Sequence, residues 1–343
     1  MKKTTKNKMP DRNASASANG WAFQVGAGIK LMLENVKAFT ALKMEGKNDD
    51  IEITLPEGKI YAQAKSVTVM GNQNTAAENL KNSLATLSDD VTEDSNPVKL
   101  IYITNILNPI SSAKASPFYD RYDTSYDYSI LPNEDKQKIK DLVGDDFPLE
   151  LLQIHVVKFF GEGKNKFDSI KEYIRKFVKD ALGDSSLCED LFDKWYRLFS
   201  LNCTDKPKEV MSFDMKKKEI MYPVIVLAIE PPISIDEFQQ VSDYDDYDEI
   251  ATQYRDLINQ RTLEYDFSSA FLGEYMSKKS MLRAGSRSQF KYDFVNKNWQ
   301  EYEESFNQIN DPEIREAVVK MTLLTLIVRA SKLEKIRTAA NII

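Results

Sequence analysis

The chain is poor in the residues that most enzymes use for metal binding and nucleophilic attack. Of 343 residues, two are cysteine, Cys188 and Cys203, and one is histidine, His155. A structural zinc site takes four Cys or His ligands, so zinc fingers are excluded. Ser-His-Asp and Cys-His catalysis must both pass through His155, and nucleases of the His-Asn-His type need more than one histidine. His155 lies in the apolar stretch Leu151-Leu152-Gln153-Ile154-His155-Val156-Val157, which reads as a strand rather than a reactive loop. No G-x-x-x-x-G-K-[ST] run occurs, which removes P-loop hydrolysis. Long apolar runs are missing as well. The richest, Met321 to Val328, stops at Arg329, far short of the roughly 20 residues that a membrane span takes. The opening Met1-Lys2-Lys3-Thr4-Thr5-Lys6 is basic with no apolar core behind it, so no secretory signal is read and a cytoplasmic location is expected. A net charge of −7 gives no general attraction for nucleic acid, so any DNA contact has to come from local basic patches. The chemistry left is that of carboxylates, amides and lysines.

With 42% hydrophobic residues the chain is too apolar for disorder, and 343 residues correspond to two domains at roughly 100–200 residues each. Residues 1–13 are polar and basic and read as a flexible tail. Ser15 or Ser17 caps a helix to about residue 35, with Trp21, Val25, Ile29, Met32, Leu33 and Val36 on its apolar face. Strands are expected at 38–44, 50–55 and 59–67, the last two joined by Pro56-Glu57-Gly58; a helix at 75–87 and a buried strand at 98–104 follow. The order is helix, three strands, helix, strand. Residues 109–147, rich in Tyr, Asp and Ser, read as a long insertion or connector. A strand is expected at 149–160 and helices at 166–182 and 187–199; residues 221–229 fit either a strand or a buried helix. From about residue 233 onward the pattern is helical, ending with a helix over 312–336. The expected architecture is an α/β region over 14–160 followed by a mainly helical region over 161–343 that binds partners or drives oligomerisation.

One stretch carries chemistry: Glu45-Gly46-Lys47-Asn48-Asp49-Asp50-Ile51-Glu52-Ile53, followed by Ile60-Tyr61-Ala62-Gln63-Ala64-Lys65. A symmetric turn centred on Glu57-Gly58 sets Asp50 opposite Lys65 and Glu52 opposite Gln63, with Cβ atoms roughly 4.5–5.5 Å apart on one face. The other face then pairs Ile51 with Ala64, Ile53 with Ala62 and Leu55 with Ile60, wholly apolar, and a one-residue slip would destroy it. A carboxylate beside an amide oxygen suits Mg²⁺, a hard cation that keeps waters for a substrate phosphate. A lysine next to it can orient the attacking water or stabilise charge on the phosphate. Asp49 is an alternative to Asp50 in this set, but its parity puts it with Ile51 and Ile53 on the core face if the strand begins that early. A solvated strand face with an ordinary Asp–Lys pair is the plainer alternative.

The order of elements resembles the PD-(D/E)xK nuclease core in its Q-x-K form. Gly20-Trp21-Ala22-Phe23-Gln24 on the first helix, Glu45, Asp49-Asp50-Ile51-Glu52-Ile53 and Gln63-Ala64-Lys65 resemble more closely the double-stranded-DNA endonuclease domain of bacterial antiphage effectors, found in CBASS, Lamassu and ABC-three-component systems and beside HerA-type motors. The likeness covers roughly residues 14–110. It implies that Asp50 binds the metal, that Lys65 is the catalytic lysine, and that Gln63 stands for the second acidic residue and gives its carbonyl oxygen. Gln63 removes a negative charge from that site, which Glu45 restores as a further ligand. Gln24 matches the helix glutamine that faces the site, and Glu52 is a supporting or merely exposed residue. The implied activity is Mg²⁺- or Mn²⁺-dependent cleavage of double-stranded DNA with little sequence preference, by the effector subunit of a defence complex that is switched on by oligomerisation or partner release. The alternative is a non-catalytic adaptor with a degenerate nuclease fold, bridging DNA to an SMC-like or HerA-like ATPase.

Beyond the likeness, Ser277–Tyr292 holds Lys278, Lys279, Arg283, Arg287 and Lys291 and no acid. Lys279, Arg283, Arg287 and Lys291 recur every four residues and would form one ridge of a helix, able to contact DNA phosphates, although Gly285 weakens such a helix. A solvated helix face explains the same pattern. The aromatic run from Leu191 to Phe199 is read as core or as a partner interface.

Overall fold

The computed structural model describes residues 15–46, 49–68, 73–93, 96–161, 163–183, 185–204, 213–229, 233–281 and 287–341. The basic tail expected at 1–13 and Arg283 lie outside the described residues. The chain divides into two compact units, one of residues 1–177 with 192–220, the other of 178–191 with 221–343.

The first unit is built on a mixed seven-stranded sheet. Its elements are α1 (Ser15–Glu34), β1 (Ala41–Met44), β2 (Ile51–Leu55), β3 (Gly58–Lys65), α2 (Gln73–Glu93), β4 (Pro97–Thr104), β5 (Thr124–Asp127), α3 (Asn133–Lys140), β6 (Leu152–Val156), most of α4 (Asp168–Leu182), most of α5 (Cys188–Thr204), β7 (Met215–Lys216) and the start of α6 (Lys217–Ile229). The strand order is β5-β6-β4-β3-β2-β1-β7. β3, β4 and β6 run parallel; every other neighbouring pair is antiparallel.

Side-chain alternation assigns the two faces. Ile51, Ile53, Ile60, Ala62, Ala64 and Ile103 point to the side that α1 covers: the Gly28 backbone of α1 lies against Met44, which pairs with Ile51, and Lys30 of α1 reaches His155, which pairs with Ile103. Tyr61, Leu100, Tyr102, Leu152 and Ile154 point the other way, into a core with Leu80, Leu84 and Leu87 of α2. The connector expected at 109–147 is not a loose insertion. It supplies β5 and α3, and Phe118, Leu131, Ile139 and Phe147 are buried in that same core. Its Tyr, Asp and Ser residues hid these four widely spaced apolar anchors from periodicity.

The β2–β3 hairpin differs from the expected register by two residues. Leu55 pairs with Gly58, Ile53 with Ile60 and Ile51 with Ala62, so the loop is Pro56-Glu57 alone. Parity survives a shift of two, which is why the apolar face could not distinguish the two registers. The turn residues decide it, since Pro56 brings the φ that the second position of a β-turn needs. Gly58 has φ +150°; a Cβ there would overlap the Asn96 carbonyl and lie 2.8 Å from Val98 Cγ2. Glu52 therefore opposes Tyr61, not Gln63.

The second unit is helical: the end of α6, then α7 (Ile235–Phe238), α8 (Tyr247–Gln253), α9 (Arg255–Leu263), α10 (Tyr265–Ser280), α11 (Arg287–Asn298) and α12 (Pro312–Ala340). Residues 221–229, undecided in the sequence, are helical. Asp311 caps α12 by accepting from the N–H groups of Glu313 and Ile314, with Pro312 in the first turn. The apolar run of α12 is the centre of this unit: Val318, Val319, Met321, Leu323, Leu324 and Leu326 are buried against Phe271, Phe294 and Phe306. Thr322 and Thr325 hide within it by donating to carbonyls four residues back, both at 2.7 Å. No helix among the described residues is long and apolar enough to cross a membrane.

Candidate active site

The site lies where β2 and β3 part. Beyond the Ile51–Ala62 pair, β3 continues beside β4 through Gln63, Ala64 and Lys65, while β2 has already ended. The exposed ladder position is filled by a side chain: Asp50 Oδ2 accepts from the Ala64 N–H at 2.7 Å and from Lys65 Nζ at 3.2 Å. The Asp50–Lys65 contact expected from sequence is thus present, but a carboxylate capping the strand makes it, not cross-strand pairing. Lys65 is 34% exposed and Asp50 12%, so the pair faces solvent at the edge of the site.

Behind it lies a second, buried pair. The β1–β2 connection turns tightly: the Glu45 N–H donates to the Asp50 carbonyl at 2.9 Å and the Gly46 N–H to the Asp49 carbonyl at 2.7 Å. Glu45 itself has a φ of +52°. The bend frees Asp49 from strand alternation. It does not join Ile51 and Ile53 on the core face; its Oδ1 accepts from Gln63 Nε2 at 3.2 Å. Asp49 is 4% exposed and Gln63 2%. Asp90, on α2 and also 4% exposed, shares a hydrogen bond with Asp49. Burial first, and then the Asp90 hydrogen bond and charge, push the Asp49 carboxyl up to about 10, against donation from Gln63. At neutral pH this keeps Asp49 protonated beside Asp90.

Asp90 was missed in the sequence, yet a signal was there. Leu80, Leu84 and Leu87 define the buried stripe of α2, and one further turn brings Asp90 onto it. The expected helix stopped at residue 87, three residues short of Asp90 and six short of the helix end at Glu93. Glu52 sits apart, paired with Lys59 at 2.7 Å, although its charge also raises the Asp49 pKa. Gln24 is half-buried on α1, on the opposite side of the sheet from the Gln63 side chain. Among the described residues no hydrogen bond joins it to the carboxylates.

Asn105, fully buried after β4, holds the chain that follows Lys65. Its amide nitrogen donates to the Val67 and Phe159 carbonyls at 2.8 and 3.1 Å, and its oxygen accepts from the Val67 N–H at 2.8 Å. This clamp fixes the backbone two residues past the candidate lysine.

Among the described residues no group of three or more His, Cys, Asp or Glu forms a ready metal cage. A small hard cation needs less, because Mg²⁺ keeps several waters and takes one or two carboxylates plus substrate phosphate. Asp49 and Asp90 converge where only a proton or a cation lets both remain buried, and that arrangement fits such an ion. Asp50 does not complete a three-carboxylate group with that pair; its Oδ2 is taken by the Ala64 N–H and Lys65.

The DNA-contact candidates fall elsewhere, and not as a ridge. α10 ends at Ser280 and α11 begins at Arg287, so Lys279 and Lys291 belong to different helices. Lys291 pairs with Glu237 at 2.9 Å. Arg287 opens α11, and its side chain is outside the described set.

Compared with known proteins, the chain matches no family model, no curated protein and no solved structure.

Proposed function

We propose that this chain is a metal-dependent endonuclease of the PD-(D/E)xK type, acting on double-stranded DNA with little sequence preference. The observation that carries the reading is the junction of Asp50 and Lys65, 3.2 Å apart, with Gln63, Asp49 and Asp90 behind them at the parting of β2 and β3. Asp49 and Asp90, with the Gln63 amide turned oxygen-first, would hold Mg²⁺ or Mn²⁺ together with retained waters, since both ions accept oxygen-rich sites and need only one or two carboxylates. Bound there, the ion would supply Lewis-acid stabilisation of a phosphodiester and a more acidic water. Lys65 reaches solvent as a compact cation that orients a water and offsets charge on the phosphate. Asp50 holds that ammonium in place, and the Asn105 clamp fixes the strand end that carries it.

The wider role we propose is that of an effector subunit in an antiphage defence complex, activated by oligomerisation or by release from a partner such as an SMC-like or HerA-like ATPase. It rests on the resemblance of residues 14–110 alone.

Plasmid cleavage by purified protein in Mg²⁺, Mn²⁺ and EDTA tests the reading, with and without co-expressed neighbouring gene products. Metal-dependent cutting should fall by about 10²-fold or more in both Lys65→Ala and Asp50→Ala, the usual cost of removing a transition-state charge partner. Equal cutting by wild type and variants would mean a contaminant. No cutting in any state would transfer the assignment to the non-catalytic adaptor.

A further inference from the structure

The helical unit has an open hollow of about 500 Å³ formed by α10, α11 and α12, within the range of small-molecule sites, roughly 300–1,000 Å³. Its lining is mixed in a specific way. Lys279 and Lys291 bring two ammonium groups, Gln289 an amide, Tyr292 an aromatic ring, and Ile327 and Val328 an apolar floor. The Lys291 charge is balanced by Glu237 at 2.9 Å. No carboxylate pairs with Lys279 among the described residues; its Nζ lies over the Tyr275 ring, 5.2 Å from the centroid. Tyr275 is buried and stacked on Phe290 at 5.6 Å, with 16° between the planes, so the platform under Lys279 is rigid. The hollow therefore keeps one unbalanced positive charge beside an apolar wall, in a chain whose net charge is −7.

We infer that this hollow binds a nucleotide, meaning a phosphate ester that carries a flat heteroaromatic base. A bare anion would leave the Ile327–Val328 floor and the Tyr292 ring unused, and an apolar ligand would strand the Lys279 charge. A nucleotide answers both. Its phosphate meets Lys279. Its base lies against the floor and Tyr292, whose ring centroid Lys291 Nζ also approaches at 4.6 Å. Gln289, whose amide nitrogen donates to Asp293 at 3.4 Å, accepts from the base edge through its oxygen. Lys279 and Lys291 then serve a pocket, not a DNA-tracking ridge. The nucleotide is either free or one unit of a single strand, with the same chemistry in both cases.

Calorimetric titration of the full chain with AMP, GMP, CMP and UMP, with adenosine, with inorganic phosphate and with a five-nucleotide deoxyadenosine strand tests this. At least one mononucleotide or the strand should bind saturably, at least tenfold more tightly than adenosine or phosphate. Lys279→Ala and Tyr292→Ala, both checked for unchanged melting temperature, should each weaken that binding at least tenfold, while Lys65→Ala leaves it unchanged. Tighter binding of the strand than of AMP assigns the unit to single-stranded DNA, and equal or weaker binding assigns a free nucleotide. The inference is overturned if nothing in the panel binds, if phosphate or adenosine binds as well as the nucleotides, or if Lys65→Ala removes the binding.

Discussion

Asp49 is buried against a second carboxylate, Asp90, and both are 4% exposed. The Asp49 carboxyl has an ordinary value of 3.8 and is pushed up to about 10, so between those limits the native state holds a proton that the unfolded chain has lost. Stability falls as pH rises wherever the native state binds more protons. Asp49→Asn supplies permanently the donor that this proton supplies, and it should raise metal-free stability at pH 7 by about 1–3 kcal/mol, the usual cost of a poorly satisfied buried polar group. Thermal melts in EDTA should show the gain growing from pH 5 to pH 9, while calorimetry shows Mn²⁺ binding lost. A variant less stable than wild type at pH 9 would overturn this account. On the other face of the sheet, His155 behaves in the opposite sense. It is 2% exposed; burial first, then the charges of Lys30 and Lys99, hold its pKa well below 6.5. Its Nδ1 faces Lys30 Nζ at 2.9 Å, with Glu34 at 3.8 Å from the ring and Gln153 at 3.3 Å from Nε2. The unfolded chain takes up this proton below pH 6.5 and the native state does not, so stability is lost as pH falls, by up to about 1.4 kcal/mol per unit. Denaturant melts of His155→Gln should show a shallower loss between pH 6.5 and 5; an unchanged slope would remove His155 from the acid response.

Turns and helix ends decided more of this fold than apolar periodicity did. Gly58→Ala would force a Cβ into the Asn96 carbonyl and within 2.8 Å of Val98 at a φ of +150°. It should cost about 2 kcal/mol or more, read as a lower denaturant midpoint, and an unchanged midpoint would show that the hairpin relaxes freely. The elements from α1 to β4 were legible because each buries one face, so that Ile51, Ile53 and Leu55 alternate and Leu80, Leu84 and Leu87 fall on one stripe. The Asp50–Lys65 contact was expected from a register two residues away from the observed one, and it forms because the Asp50 carboxylate caps the end of β3. The hairpin register was not legible, because a shift of two keeps every side chain on its face. Asp49 escaped because a bend ahead of β2 cancels parity, and Asp90 because polar residues beyond Leu87 masked the last turn of α2. The segment from 109 to 147 escaped for want of any period, since Phe118, Leu131, Ile139 and Phe147 are anchors set in loops and short elements.

Charge governs what the whole chain can do with DNA. With a net charge of −7, general attraction between one copy and a polyanion is absent, and of the four basic residues spaced along 279–291, Lys291 is already neutralised by Glu237. Phosphate contacts supply most of non-specific DNA affinity, so one copy of this acidic chain is expected to bind weakly at physiological salt. Copies that gather on one duplex overcome this, because once one site is bound the next acts at a high effective concentration. Cleavage by the purified chain should therefore rise more steeply than in proportion to protein concentration, and the dependence should sharpen between 50 and 200 mM salt, where each phosphate contact is weakened. Initial rates of plasmid nicking over a hundredfold range of protein concentration read this directly. A rate strictly proportional to concentration at both salt levels would mean that a lone copy carries all the contacts it needs, and activation by assembly would have to be abandoned even if Asp50 and Lys65 prove essential.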